Sequence, residues 1–394
     1  MQWFLTTMNY AYISGGRLYV SRNGAQPVEI ESAFAAQVVA RHQQAMERRQ
    51  WKAGSGDSMM TRGYDLWGNG SRGGIGDDSL LVRMLSVTGS PRPELIYYSL
   101  ATDAVGGLFC QNLDTGEERR VFHKERYHLD DLAHHPTRNE ILAVKRDADG
   151  SSIVITACER FDVHTVTEGD SLDLSPSWIP GEEDSFVYQS AGVGRNQSGN
   201  AIGLGPCSII RVDMKSGRST VLLEDEQYDY LSPRMDKEGN LYCIRRKYDR
   251  GGRALTVGET IKEFVLVPVR LVKALFGFLN MMSQIFGKES LLKTGVGGKK
   301  EIDRQEVFLK GRLIDLKKRE NAKEEHGIAP SDWTLIKVDP SGAVSEVRGN
   351  VCDFDWNPQS GLILTNGLAV SGEENSGWSS VFKGKDIIEY VRCI

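Results

Sequence analysis

Paired cysteines are missing from this chain. Its six cysteines stand singly, at 110, 158, 207, 243, 352 and 393, and no two are spaced as a zinc knuckle or a redox Cys-x-x-Cys. In a chain of 394 residues, scattered cysteines fit a reducing compartment better than a disulfide framework. A basic excess is missing as well. The chain has 48 Lys and Arg against 53 Asp and Glu, a net charge of −5, which argues against nucleic acid as a partner. The opening Met1-Gln2-Trp3-Phe4 lacks the basic region, apolar core and small-residue site of a secretory leader, so a cytoplasmic location is expected.

Catalytic signatures are absent too. There is no Gly-x-Ser-x-Gly and no His-Glu-x-x-His. Gly295-Val296-Gly297-Gly298-Lys299-Lys300 ends like a phosphate-binding loop, but Lys293 stands where the first glycine is required. A formal Gly-x-Gly-x-x-Gly at Gly68, Gly70 and Gly73 has no evident strand before it or helix after it. No cofactor is expected from these motifs.

What the chain does contain is a recurring phrase, in which Asp, apolar and small or polar residues lead into Pro. It reads Asp131-Leu132-Ala133-His134-His135-Pro136, Asp173-Leu174-Ser175-Pro176, Asp229-Tyr230-Leu231-Ser232-Pro233 and Asp355-Trp356-Asn357-Pro358. Repetition at such intervals is the mark of a propeller or solenoid. Strand-like runs follow the phrase: Ile141-Leu142-Ala143-Val144, Phe186-Val187-Tyr188, Leu241-Tyr242-Cys243-Ile244 and Leu362-Ile363-Leu364. Each repeat then turns through a polar stretch with Asp early and Gly late, as in Leu113-Asp114-Thr115-Gly116, Val212-Asp213-Met214-Lys215-Ser216-Gly217 and Val338-Asp339-Pro340-Ser341-Gly342. Gly tolerates the positive φ of a tight hairpin and Asp bonds its backbone.

The pattern predicts an all-β chain, a β-propeller of about six four-stranded blades, with seven allowed by the count. Blades are expected near 80–122, 127–168, 172–225, 229–350 and 352–392, with the N-terminal runs Tyr10-Ala11-Tyr12-Ile13 and Arg17-Leu18-Tyr19-Val20 supplying part of another. The expected organisation is one propeller domain over 1–394 with two insertions. The segment Asp173-Leu174-Ser175-Pro176-Ser177-Trp178-Ile179-Pro180-Gly181 resembles the Ser-Pro-Ser-Trp-Ser-Pro-Asp-Gly phrase of TolB-type and WD-repeat-like propellers. That resemblance covers about 130–250 and 330–394 and implies the fold. It says little about activity, because propellers host many functions.

The first insertion, 31–78, reads as a helix from Ser32 to Lys52 followed by a Gly-rich loop. The second, 250–330, interrupts one blade. From Val269 to Gly287 it is almost continuously apolar, with Arg270, Lys273, Gly277, Asn280 and Gln284 on one narrow helical stripe. The remaining face carries Leu271, Val272, Leu275, Phe276, Phe278, Leu279, Met282, Ile285 and Phe286. A charged segment from Glu301 to Lys323, with Val307, Phe308 and Ile314 as apolar positions, also reads as helical.

Three roles compete for 262–300. The helix packs on the propeller, it lies on an anionic membrane surface in the manner of lysine-flanked interfacial helices, or it docks apolar face first into a protein partner. Arg270, Leu271, Lys273, Leu275, Phe276, Phe278, Leu279 and Phe286 are the expected contact residues. Among polar residues, His128, Asp131 and His134 are the candidate metal ligands, since His and Asp commonly bind divalent ions. The alternative role for Asp131 and His134 is hydrogen bonding between strands. The functional expectation is a non-enzymatic scaffold for protein partners, cytoplasmic or membrane-associated. The alternative is a propeller enzyme or a small-ligand or metal-binding protein with its site at the channel face.

Overall fold

A computed structural model describes residues 8–54, 82–102, 105–147, 150–195, 201–249, 306–315, 327–358, 361–374, 377–384 and 386–394. Its strands fall into six antiparallel groups of four, which we number as blades in chain order. Blade 1 unites the chain ends: Ile388–Cys393 lies innermost, followed by Tyr10–Ser14, Arg17–Ser21 and Val28–Glu29. Blade 2 is Arg83–Gly89, Leu95–Ala101, Val105–Asn112 and Glu118–Glu125. Blade 3 is His128–His134, Glu140–Asp147, Gly150–Ala157 and Val163–Thr165. Blade 4 is Ser171–Trp178, Ser185–Arg195, Ser208–Asp213 and Arg218–Leu223, with the short Ala201–Leu204 on its second strand. A single parallel bridge, Ser151 to Leu172, links blades 3 and 4. Blade 5 is Tyr228–Met235, Leu241–Lys247, Thr334–Val338 and Val344–Arg348, and blade 6 is Asp353–Asn357, Gly361–Thr365, Ala369–Glu374 and Gly377–Lys383.

Each innermost strand packs on that of the next blade. Asp353–Asn357 meets Ile388–Cys393, and Ile388–Cys393 meets Arg83–Gly89, so the ring closes on itself. The expected last blade over 352–392 is corrected by this closure. Its final strand is given to blade 1, where Tyr10–Ser14 pairs with it. The innermost strands all start on one side of the ring, here termed the upper face. Antiparallel order returns the chain to that face between the second and third strands of each blade and again between blades.

The cores lie between the blades. Ala11, Leu18, Val87, Tyr98 and Phe109 pack between blades 1 and 2, and Leu231, Ile244, Trp333, Leu335, Phe354 and Leu364 between blades 5 and 6. The outer hairpins form where the polar turns predict them. Asn112, Asp213 and Asp339 each accept two backbone N–H groups of their own turn, and Gly116, Gly217 and Gly342 follow with φ of 72°, 65° and 88°.

Two elements lie outside the blades. Helix α1, Ala33–Gly54, matches the expected helix within two residues at each end. Its first turn wedges at the seam of blades 1 and 2, where Phe34 packs 5.0 Å from Phe109 and donates its backbone N–H to Glu118. The Gly-rich loop at 55–78 lies outside the described residues. The other element corrects the helical reading of 301–323 over its described part: Glu306–Leu309 and Arg312–Asp315 form a β-hairpin that, among the described residues, pairs only with itself. Lys310 and Gly311 at its tip have φ of 40° and 81°, the doubly positive pair of a two-residue hairpin turn. No described helix is long and apolar enough to cross a membrane.

Candidate functional site

The repeated phrase lies in the innermost strand itself, and the runs expected to follow it are strands as well, the second of each blade. In blades 3, 4 and 5 two residues of the innermost strand oppose one on its partner, at Asp131-Leu132, Ser175-Pro176 and Ser232-Pro233. These are β-bulges, and they re-aim side chains and free backbone groups from the ladder. Asp131, Ser175 and Ser232 accordingly adopt φ of 46°, 52° and 53°. The prolines are therefore not equivalent. Pro176 and Pro233 sit inside bulges, where the missing N–H costs no ladder bond, whereas Pro136 and Pro358 lie beyond their strands.

The freed amides are taken up by the preceding blade. Leu132 N–H donates to Ser86 Oγ at 2.8 Å, Ser175 N–H to Asp131 at 3.0 Å, and Ser232 N–H to Gln189 at 2.7 Å. Between blades 5 and 6, Arg234 pairs with Asp355 at 2.6 Å. Between blades 6 and 1, Arg392 pairs with Asp353 at 2.7 Å, and the amides of Val391 and Cys393 donate to Asp353 and Asp355. Tyr390 and Ser86 share a hydroxyl hydrogen bond of 2.7 Å between blades 1 and 2. A closed polar belt thus links every blade to the next around the centre of the ring.

Ions buried in this belt are paired and hydrogen-bonded, the condition under which buried charge is tolerated. Asp229 and Arg246 are 2.9 Å apart with side chains 6% and 7% exposed. Asp353 is fully buried. Burial alone would raise its pKa, but Arg392 and Lys310 beside it, with bonds from Lys310 and the Val391 N–H, hold it at about 2. Burial raises Asp130, and its neighbour Asp131 adds to the rise against the pull of Arg146.

Lys310 comes from the hairpin and not from a blade. Its Nζ lies 2.7 Å from Ser232 Oγ and 2.7 Å from Asp353 Oδ1, so the hairpin tip bridges the innermost strands of blades 5 and 6. Arg246 donates to the Lys310 carbonyl at 2.8 Å. Arg312 bonds the Lys247 carbonyl and lies 3.5 Å from Asp332. Leu309 and Ile314 are buried among Leu231, Trp333 and Phe354.

His128, Asp131 and His134 lie along one innermost strand, which sets the two histidines at opposite ends, roughly 20 Å apart at strand rise. Burial lowers the pKa of both histidines. Asp131 is engaged by the backbone and hydroxyl of Ser175. His134 has its Nδ1 on the His135 carbonyl and its Nε2 at 3.4 Å from Cys158 Sγ. The structure does not bring the three together, and no cluster of three or more His, Cys, Asp or Glu able to hold a metal occurs among the described residues. Burial pushes the Cys158 thiol up to about 12, which keeps it protonated at neutral pH. The contact residues expected between Arg270 and Phe286 lie outside the described residues.

Ser232, Lys310, Asp353 and Arg392 were not anticipated as a site. One signal was available. Lys310-Gly311-Arg312 stands between Val307-Phe308-Leu309 and Leu313-Ile314, two apolar runs split by three polar or small residues with Gly at their centre.

No protein-family profile matches the chain, and no curated protein does. Among solved structures it is similar to TolB from Acinetobacter baumannii, at 10% identity over 98% of this chain and 66% of that one, with a TM-score of 0.49. It is similar to the tricorn protease at 12% identity over 98% of this chain and 34% of that one, TM-score 0.45. It is similar to a chain of the nidogen/laminin complex at 6% identity over 61% of this chain and 73% of that one, TM-score 0.39. The chain therefore spans just under two thirds of the TolB structure and about a third of the tricorn protease.

Proposed function

We propose that the chain is a propeller scaffold for a protein partner, with the second insertion, 250–330, as its contact element. One observation carries this reading. The insertion departs after Lys247, which pairs with Tyr228 at the start of the innermost strand, and returns at Thr334, which pairs with Arg245 beside it. Both anchor points lie on the upper face, and the hairpin of the same insertion bridges the innermost strands of blades 5 and 6. A ring whose blades are tied to one another by the polar belt holds the two anchor points of the insertion at a fixed spacing. The apolar residues Leu271, Leu275, Phe276, Phe278, Leu279 and Phe286, flanked by Arg270 and Lys273, provide the contact chemistry in this reading. The six cysteines are all unpaired, which suits a cytoplasmic setting.

The test compares the full-length chain with one lacking 259–300, each purified by affinity from native lysate in mild detergent. The expected result is a stoichiometric protein that accompanies the full chain and is lost with the deletion. A folded deletion variant that keeps every association removes the role given to the insertion. Flotation of the full chain, but not the deletion, on vesicles containing anionic lipid replaces the protein partner with a membrane surface.

A further inference from the structure

The hairpin Glu306–Asp315 differs in kind from everything it touches. Among the described residues its ladder is shared with no blade. It is held instead by side chains: Lys310 on Ser232 and Asp353, Arg246 on the Lys310 carbonyl, Arg312 on the Lys247 carbonyl, and the burial of Leu309 and Ile314. The receiving oxygens belong to the belt and are positioned without it. Asp353 is anchored by Arg392 and the Val391 N–H through Oδ2, so Oδ1 is left to face Lys310. Ser232 is held by its backbone N–H on Gln189, so its hydroxyl projects from the bulge toward the same point.

Two oxygens converging on one point, one of them charged, suit a primary ammonium, which carries three N–H donors and accepts nothing. A quaternary ammonium has no N–H to offer them. We propose that the point between the innermost strands of blades 5 and 6 is a binding site for a lysine-type ammonium on an extended chain, filled here by the protein's own Lys310, and that the hairpin docks and undocks as a unit so that a partner's lysine can take its place. An isolated two-stranded hairpin is marginal in water. Undocking therefore exposes its amides, and hydrogen exchange of 306–315 reads the docked fraction directly. Mild acid does not work the switch, because Asp353 stays ionised well below neutral pH. A competing cation does.

The inference uses no residue of 259–300, so it stands or falls separately from the partner reading. The experiment uses the full-length chain, Lys310→Ala and Lys310→Met. Exchange at 306–315 is expected to quicken at least tenfold in both variants, while amides of Asp353–Asn357 and Ile388–Cys393 change less than twofold. Propylammonium chloride is expected to raise the melting temperature of Lys310→Ala, and tetramethylammonium chloride at equal concentration is not. Wild type, its site already filled, gains from neither. If hairpin and innermost strands quicken in step, or Lys310→Ala fails to fold, Lys310 is part of the ring's frame and the exchangeable arm is wrong. If the two ammonium salts act alike on Lys310→Ala, there is no ammonium site.

Discussion

Asp353 sits between two cations, Arg392 on one oxygen and Lys310 on the other, with no exposed surface of its own. Replacing it with Asn removes the charge and leaves a buried guanidinium unpaired, which typically costs about 3–5 kcal/mol. Denaturant unfolding of Asp353→Asn is expected to show a loss of that order, and a loss under about 1 kcal/mol would mean that the pair adds little. The same residue sets a pH dependence. Its folded value of about 2 lies below the roughly 3.9 of an unfolded Asp, so protonation favours the unfolded chain. Its contribution is complete above about pH 4 and is lost as pH falls toward 2. Melting temperatures of wild type and Asp353→Asn should thus converge over that interval and differ by a constant amount above it. None of this was readable locally, since an Asp two residues before another in Asp353-Phe354-Asp355 looks like ordinary strand alternation.

At the level of elements, the bulges decide how blades meet. The close approach of blades 2 and 3 depends on Gly106. A Cβ there would lie 2.0 Å from the Tyr127 carbonyl oxygen, which is backbone and cannot rotate aside. Gly106→Ala is expected to destabilise by more than about 3 kcal/mol, at the far end of single-substitution effects, and calorimetry gives the measurement. The hairpin shows the opposite sensitivity. Gly311→Ala puts a side chain at φ of 81° without crowding the backbone, so a cost of roughly 1–2 kcal/mol is expected, confined to 306–315 by hydrogen exchange. The turns of the outer hairpins were legible, because Asp and Gly act on their own backbone within a few residues. The hairpin was misread as helix because Val307, Phe308 and Ile314 also satisfy a helical spacing over a short window, and only the Lys310-Gly311 turn separates the two readings.

The whole molecule is a ring closed by its two ends. Ile388–Cys393 is the innermost strand of blade 1, and its neighbours are Asp353–Asn357 on one side and Arg83–Gly89 on the other. A chain ending at residue 387 loses that strand together with Arg392, Tyr390 and the amides that bond Asp353 and Asp355. Its thermal unfolding is expected to broaden and shift downward, with loss of a single cooperative transition, as followed by circular dichroism and calorimetry. A truncated chain that melts like the full one would show that the ring does not depend on closure.

The sequence by itself determined the all-β repeat, the outer turns, the first helix and the place where a blade is interrupted. Each of these rests on interactions within a few residues: strand alternation, glycine at positive φ, Asp bonded to its own turn. Only the folded ring settles that the final strand belongs to the first blade, that bulged amides find acceptors one blade away, and that Lys310 bridges blades 5 and 6. Those outcomes join residues as far apart as Ser86 and Tyr390, 304 positions along the chain. No local period encodes such a pairing; it exists only once the ring has brought the strands together.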